Sequence, residues 1–296
     1  MVAAVLLMLL AGFLWAVVGA LFVAAPTEKD RLLSFFAISS IVYCAFAFAA
    51  RPPSAAPARE VLRLAAMIVP CSLLDTLAFL LLKRAMERGS QGIAWCIVQS
   101  AMVVPFICMV AFMHNPASHI QWVGLASMLA ALALLGLEKQ KGGSAAYDAS
   151  YLLLVVAAFA MLGIALFLRV FPGYAGFTPE TMSWRLPLHA LAPAVFWSAT
   201  CFAGRLWRPR SVWRKAVPYG IVVALGQMVF FFAVDAADKL LLTSIATPVA
   251  IGTCILLFTL YCHVFRGERL SPAGWAAVAL DIAGIAMLSC GGSSAS

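Results

Sequence analysis

Residues 64–82 read "LAAMIVPCSLLDTLAFLLL", an almost continuous apolar run that contains one ionisable side chain, Asp75. A helix of about 20 apolar residues crosses the hydrocarbon core of a bilayer, so this run predicts a transmembrane helix. A charged acid at the centre of such a helix costs ~2.5–3.5 kcal/mol on insertion scales. We therefore expect Asp75 to face the interior of a helix bundle or a wet cavity.

The composition places the rest of the chain in the same class. Hydrophobic residues make up 64% of the chain and charged residues 11%, with a mean hydropathy of +1.00, whereas soluble domains carry about 25% charged residues. The sequence predicts an all-α polytopic membrane protein with ten transmembrane helices, the first of them retained and not removed as a signal peptide. The predicted spans are residues 4–24, 32–50, 64–82, 91–113, 120–137, 150–170, 182–204, 216–234, 241–263 and 271–288.

The predicted spans form two sets of five. A shift of about 150 residues places 216–234, 241–263 and 271–288 on three consecutive spans of the first half. The polar stretch "LEKQKGGSAAYDAS" (137–150) separates residues 1–147 from residues 148–296, which we predict to be the two five-helix repeats. An odd number of spans gives the repeats opposite orientations, as in secondary transporters that bind substrate near the bilayer midplane.

The C-terminal stretch "SIATPVAIGTCILLFTLYCHVFRGERLSPAGWAAVALDIAGIAML" (244–288) resembles the end of the drug/metabolite transporter superfamily, in its ten-span EamA-like branch. The resemblance lies in a proline in the ninth span, a "GERL" turn at 267–270 and a tenth span rich in small residues. It implies two inverted repeats, transport as the activity and both termini inside the cell. The first half departs from this pattern, since Ser118 stands where the repeat would place Glu268.

The distribution of basic residues gives the opposite orientation. One set of alternate loops contains 14 Lys and Arg residues and the other set contains 5, with Arg169 counted among the latter. The positive-inside rule then places both termini outside, and the two predictions of orientation stay open. The net charge of +8 suits contact with membrane lipid headgroups and gives no reason to expect nucleic acid. We expect an integral protein of a bacterial inner (plasma) membrane.

Two acids lie near the centres of predicted spans, Asp75 and Asp281. Asp75 could bind a proton or a substrate cation, and its alternative role is a protonated carboxyl that bonds a neighbouring helix. Asp281 could also carry a coupled proton, although an interhelical hydrogen bond is the favoured interpretation for the tenth span. Glu268 precedes Ser271 and Pro272 and is predicted to cap that span.

Further candidates come from polar and aromatic side chains within spans. Arg185 could recognise a carboxylate or phosphate, or snorkel to headgroups. Prolines 187 and 193 are expected to interrupt its helix. The remaining predicted substrate-binding residues are interior polar groups or rings that could stack on a substrate: His189, Trp95, Gln99, Gln227, Thr247, Trp15 and Tyr43. Helix–helix bonding and packing are the alternative roles for all of them.

These features favour a secondary transporter that moves a small polar metabolite by alternating access. Asp75 with Arg185 would suit an amino-acid-like zwitterion, whereas Asp75 with tryptophans would suit an organic cation. The depth of Asp75 motivates proton coupling. A lipid or lipid-linked-sugar flippase is the alternative, and a membrane-embedded transferase is less favoured because no loop combines acids, histidines and cysteines.

No cofactor or metal is expected. The chain has no Walker motif, and its eight cysteines lie in or beside apolar segments without a CxxC pair, which predicts small buried side chains. Small-residue faces on 120–137 and 271–288 would support a homodimer.

Overall fold

A computed structural model describes residues 2–112, 117–137, 149–206, 210–238 and 243–289, without the side chains of 2–4, 109, 136–137, 174, 234–238, 243–248 and 289. Twelve α-helices and two 3₁₀ turns make up the described chain, and no strand is present in it. The helices are α1 (Val2–Val23), α2 (Lys29–Ala50), α3 (Ala58–Met86), α4 (Gln91–Gln99), α5 (Val103–Phe112), α6 (His119–Leu137), α7 (Ala149–Val170), α8 (Pro179–Met182), α9 (Arg185–Ala203), α10 (Arg210–Asp238), α11 (Thr243–Phe265) and α12 (Pro272–Ser289).

The helices begin where the sequence supplies capping residues. Ser90 Oγ accepts a hydrogen bond from the Ile93 amide at the start of α4, which satisfies one of the donors that a helix N-terminus leaves free. Thr178 does the same for the Thr181 amide of α8, and Pro179 occupies the first position of that helix, where a proline loses no hydrogen bond.

The prediction of an all-α polytopic membrane protein is confirmed. By length and composition, seven helical segments of the described chain could cross a membrane. Three shorter apolar helices cover His119–Leu135, Val249–Phe265 and Pro272–Leu288. Large apolar side chains project outward from these helices, with Leu153 70% exposed and Phe265 75% exposed. Such faces suit contact with lipid tails, because soluble proteins seldom expose so many large apolar side chains.

The predicted span 91–113 is not one regular helix. It consists of α4, a 3₁₀ turn at Ser100–Met102 and α5. Pro105 lacks an amide hydrogen and its ring crowds the carbonyl of Ala101, four residues earlier, so the break is expected at this place. The prediction that prolines 187 and 193 interrupt their helix is wrong: α9 runs from Arg185 to Ala203 with Pro193 inside it, and Pro187 lies in its first turn.

The most extensive contact between two helices of the described chain joins α6 and α12. A Cβ atom added to Gly124 would lie 2.8 Å from the Gly284 carbonyl oxygen, and one added to Gly284 would lie 2.7 Å from the Gly124 carbonyl oxygen. Both positions therefore require glycine, because any larger residue would separate the two backbones. These small residues, which the sequence offered as a basis for a homodimer, are used within the chain, and a homodimer stays a prediction without an assigned surface.

Eight of the other ten described helices surround a central space. α3 packs on α7 and α9, α10 packs on α1 and α2, α2 packs on α9, and α11 packs on α1 and α4. The largest buried cluster joins side chains from both halves of the chain, including Phe22, Trp95, Tyr151 and Phe258. The two halves of the chain therefore contribute to one shared apolar core.

Candidate functional site

A central cavity opens between the two halves, with a volume of about 930 Å³ that includes space open to the outside. Eight helices supply its walls, four from each half: α1, α2, α3 and α4, and α7, α9, α10 and α11. Its polar lining residues are Ser39, Ser40, Tyr43, Ser72, Asp75, Thr76, Gln99, Arg169, His189, Tyr219 and Gln227.

A buried ion pair forms the charged part of this lining. Asp75, on α3, accepts a hydrogen bond at Oδ2 from the guanidinium of Arg169, in the last turn of α7. Their side chains are 10% and 6% exposed. Each charge would be costly to bury alone, so the pair explains how both are tolerated within the apolar bundle. Because α3 belongs to the first half and α7 to the second, the ion pair also joins the halves.

Two further side chains extend this pair into a hydrogen-bonded chain. His189 Nε2 lies 3.0 Å from Asp75 Oδ2, and the Tyr43 hydroxyl lies 3.1 Å from His189 Nδ1. A neutral imidazole satisfies both contacts if Nε2–H donates to the carboxylate and Nδ1 accepts from the tyrosine hydroxyl. The Arg169 guanidinium lies 3.4 Å from His189 Nε2, so it would repel a positive charge on the imidazole.

Three buried polar atoms of the lining have no hydrogen-bond partner within the described chain: Asp75 Oδ1, Arg169 Nε and Gln227 Oε1. Most buried polar atoms in folded proteins are paired, and an unpaired one costs about 1–3 kcal/mol. Their concentration around one cavity indicates that its polar groups have hydrogen-bonding capacity beyond what the protein itself uses.

Aromatic rings form the other part of the walls. Trp95 stacks obliquely on Phe258 with ring centroids 4.7 Å apart and meets Phe79 edge-on at 5.9 Å. Its indole nitrogen lies 3.4 Å from the sulfur of Cys254. Trp15 packs on Phe230 with centroids 4.8 Å apart. These contacts fix the rings in place, so the cavity combines a rigid apolar surface with a charged, hydrogen-bonded cluster.

The structure brings together most of the predicted substrate-binding residues. The cavity is lined by Asp75, Trp95, Gln99, Gln227, His189, Trp15 and Tyr43. Arg185 is not among the described lining residues; it is buried with its guanidinium carbon 4.1 Å from the centroid of the Phe231 ring. The side chain of Thr247 lies outside the described residues.

Asp281 lies away from the cavity, between α12 and α4. Its Oδ2 is 2.7 Å from Ser100 Oγ and 3.6 Å from the sulfur of Cys96, and the residue is fully buried. Ser100 Oγ is also 2.8 Å from the Cys96 carbonyl oxygen. One hydroxyl hydrogen cannot serve both oxygens, but a protonated Asp281 that donates to Ser100 satisfies both distances. This geometry fits the interhelical hydrogen bond favoured from the sequence; Asp281 as a coupling site stays a prediction.

Glu268 caps a helix, although not the one predicted. Its carboxylate accepts hydrogen bonds from the Ser90 hydroxyl at 2.8 Å, the Gln91 amide at 2.8 Å and the Gly92 amide at 2.9 Å. It therefore binds the N-terminus of α4, where a negative charge is favourable, and not that of α12. Because α4 carries Trp95 and Gln99, this contact positions part of the cavity wall from the other half of the chain.

Arg169 is the functional candidate that sequence reasoning missed. It was counted as a loop charge because it lies at the end of an apolar run and next to "FPGY". Its side chain is long enough to extend back along α7 towards the bilayer interior, which sequence position alone does not show. An unpaired acid in one span was the available signal, since a buried acid requires a partner within reach.

One further combination of side chains could hold a metal ion. Cys71, Asp75 and His189 each place one potential ligand atom so that the three atoms lie within 4.8 Å of one another. However, the Cys71 thiol also lies 3.2 Å from the Ala165 carbonyl oxygen, and the Arg169 guanidinium binds the carboxylate. A cation already occupies the place that a metal would take, so this geometry favours the ion pair.

Comparison with known proteins supports the fold and no more. No protein-family model and no curated protein matches the chain. A solved structure described as "Crystal structure of protein" is similar to it with a TM-score of 0.60 and 18% identity, over 97% of this chain and 96% of that one. The similarity extends along both chains almost completely, so the helix arrangement as a whole has an experimental counterpart.

Proposed function

We propose that the protein is a secondary transporter that moves a small polar metabolite by alternating access, built on ten membrane-spanning segments in two inverted five-helix repeats. The helix lengths support the repeat. α1 and its counterpart α7 each have 22 residues, and α3 and its counterpart α10 each have 29 with an internal proline. α6 and α12 have 19 and 18.

The packing of the helices supports the same repeat. When each helix is exchanged for its counterpart, the α3–α7 contact becomes α10–α1, and α3–α9 becomes α10–α2. The contact of α11 with α1 becomes the contact of α4 and α5 with α7, while α2–α9 and α6–α12 map onto themselves. Such a two-fold pattern is expected when repeats of opposite orientation pack around a central site.

The observation that carries the proposal is the cavity lined by four helices from each half. In an inverted repeat, movement of one half relative to the other can expose such a cavity first on one side of the membrane and then on the other. The proposed membership of the EamA-like branch of the drug/metabolite transporters rests on the C-terminal stretch quoted above and agrees with this arrangement. A bacterial inner membrane is the proposed location.

The ion pair changes the role proposed for Asp75. The sequence suggested an isolated acid that holds a proton or a substrate cation, or one that acts with Arg185. In the structure Arg169 compensates its charge, so a proton on Asp75 would have to compete with the guanidinium. Proton coupling therefore stays a hypothesis. It is tested by measuring the flux of substrate across the membrane of proteoliposomes with and without a pH gradient. It fails if Asp75→Asn leaves gradient-driven flux unchanged.

Cysteine accessibility tests alternating access without knowledge of the substrate. Ser39, on α2, lines the cavity, and a Ser39→Cys variant in sealed vesicles is treated with a membrane-impermeant thiol reagent added outside only or trapped inside only. A transporter is expected to be labelled from both sides, because its cavity opens to each in turn. Ser34 is on the same helix but lies outside the described cavity lining and is fully buried, so Ser34→Cys is the matched control and should stay unlabelled. Labelling of Ser39→Cys from one side only contradicts the proposal.

A further inference from the structure

We propose that the central cavity selects small amphipathic molecules whose net charge is zero, a specificity set by the balance of the two charges of Asp75 and Arg169. This inference rests on the transporter function proposed above and adds the chemical class of the substrate. It separates two classes that the sequence left open, since it favours a zwitterion or an uncharged polar molecule and excludes an organic cation.

The first step is the inventory of charges around the cavity. The lining residues that the structure describes include one acid, Asp75, and one arginine, Arg169, and these two side chains are hydrogen-bonded to each other. His189 is held between the carboxylate and Tyr43 in a pattern that a neutral imidazole satisfies. Two further buried cations lie outside the described lining. The Lys83 ammonium is bound to the carbonyl oxygens of Phe22 and Val23 at the end of α1, and the Arg185 guanidinium lies over the Phe231 ring.

The second step is the cost of moving charge into such a cavity. A ligand with a single charge would lose its hydration, and the described lining offers no free counter-charge in exchange, because its carboxylate and its guanidinium already neutralise each other. A ligand of zero net charge avoids that loss. A zwitterion can also align its dipole against the dipole of the ion pair. The attraction between these two dipoles is stronger in a medium of low dielectric constant.

The third step is the shape of the lining. Rings of Trp15, Phe36, Phe79, Trp95 and Tyr219 supply an apolar wall. The polar cluster and the unpaired atoms Asp75 Oδ1, Arg169 Nε and Gln227 Oε1 supply donors and acceptors elsewhere on the lining. A molecule with an apolar or aromatic body and one compact polar group matches both parts. The unpaired atoms are covered by their neighbours, so contact with them requires a rotation of these side chains.

Four compounds with one common phenylethyl body test the inference. L-Phenylalanine is a zwitterion, 3-phenylpropionamide is uncharged, phenethylamine is a cation and 3-phenylpropionate is an anion at pH 7. Binding to the purified full chain in detergent is measured by calorimetry and by ligand-induced thermal stabilisation, which follows binding to the folded state. We expect at least one of the two net-neutral compounds to bind at least tenfold more tightly than either charged compound.

Single substitutions are expected to shift this preference in opposite directions. Asp75→Asn leaves an unpaired guanidinium and should favour 3-phenylpropionate, whereas Arg169→Gln leaves an unpaired carboxylate and should favour phenethylamine. The double variant removes both charges and should return to the net-neutral compounds, and it remains informative if a single variant fails to fold. Asp281→Asn removes an acid outside the cavity and is the matched control, with the order of the wild-type protein.

The outcomes separate this inference from the proposed function. Preference of the wild-type protein for either charged compound, unchanged order in both single variants, or no binding of any of the four compounds overturns the selection for zero net charge. Labelling of Ser39→Cys from both sides of the membrane would leave the transporter proposal standing in each of these cases. Labelling from one side only would overturn the transporter proposal whatever the compounds do.

Discussion

Breaking the Asp75–Arg169 pair by a single substitution should destabilise the protein more than removing both charges at once. In Asp75→Asn the guanidinium loses its counter-charge, and in Arg169→Gln the carboxylate keeps only the contact with His189. In both cases a full charge stays within the bundle without compensation. The double variant Asp75→Asn/Arg169→Gln contains neither charge, and its two amide side chains can still form hydrogen bonds.

The magnitude follows from the burial of the pair. With side chains 10% and 6% exposed, the solvent screens the remaining charge weakly. Removal of one partner of a buried pair costs about 3–5 kcal/mol, whereas replacement of the whole pair by neutral groups is often close to neutral. We therefore expect each single variant to lose about 3 kcal/mol or more. The double variant should lose less than the sum of the singles by at least ~2 kcal/mol, the coupling energy of the cycle.

The free energy of unfolding can be measured in mixed micelles as the fraction of denaturing detergent is raised, with fluorescence of the eight tryptophans as the signal. An exposed ion pair supplies the matched control. Arg84 and Glu87 are paired at 3.0 Å in the last turn of α3 and just beyond it, with side chains 30% and 22% exposed. A surface pair of this kind contributes little, so the cycle Arg84→Gln/Glu87→Gln should give a coupling energy below about 1 kcal/mol.

The reasoning is refuted if the two cycles give the same coupling energy, or if both single variants at Asp75 and Arg169 stay within ~0.5 kcal/mol of the wild-type protein, the range of surface substitutions. Either result would mean that the two charges are hydrated or compensated separately. The charge balance from which the substrate class is inferred would then be absent.

Three further predictions concern contacts outside the ion pair. Glu268→Gln keeps the size of the side chain but replaces one acceptor with a donor that faces the N-terminal amides of α4. It should lower the free energy of unfolding by about 1–3 kcal/mol. The control Glu87→Gln should lower it by less than about 1 kcal/mol. Asp281→Asn should be tolerated, because a protonated carboxyl and an amide can both donate to Ser100, whereas Asp281→Leu should lower the midpoint of detergent-induced unfolding. Gly284→Leu should be strongly destabilising or prevent folding, because its side chain would separate α6 from α12, and a loss of expression or monodispersity in size-exclusion chromatography would show this.

The sequence predicted the helices well because their lengths follow directly from hydropathy. All ten apolar runs are largely helical where the structure describes them, and the internal prolines of α3 and α9 did not end those helices. Span 91–113, in contrast, is interrupted at Ser100–Met102, three to five residues before Pro105. In a bundle, the neighbouring helices determine whether a proline bends a helix, breaks it or leaves it intact. The sequence of one helix is therefore not enough to predict the effect of its proline.

The candidate site was predicted in its residues but not in its pairing. Asp75, Trp95 and Gln99 were chosen because polar or ionisable groups are rare at that depth, and that reasoning needs no tertiary information. The partner of Asp75 depends on which helices meet and on how far a long side chain reaches. Arg169 and Arg185 both lie near the ends of spans in sequence, and their helices α7 and α9 both pack against α3. Only the side-chain contact in the structure identifies Arg169 as the partner.

Two polar contacts that join the halves have no counterpart at the corresponding positions of the proposed two-fold repeat. α7 supplies Arg169 to the ion pair, whereas its counterpart α1 contains no charged residue. Glu268 binds the start of α4, whereas the shift of about 150 residues places Ser118 at the corresponding position of the first half. An inverted-repeat transporter exchanges the environments of its halves as it changes state. A polar link that contributes ~1.4 kcal/mol in one state and is absent from the other changes their ratio about tenfold. The ion pair and the Glu268 contact should therefore favour the conformation described here over the one that opens to the other side of the membrane. Substitutions at either place should raise the population of that second conformation in the absence of substrate.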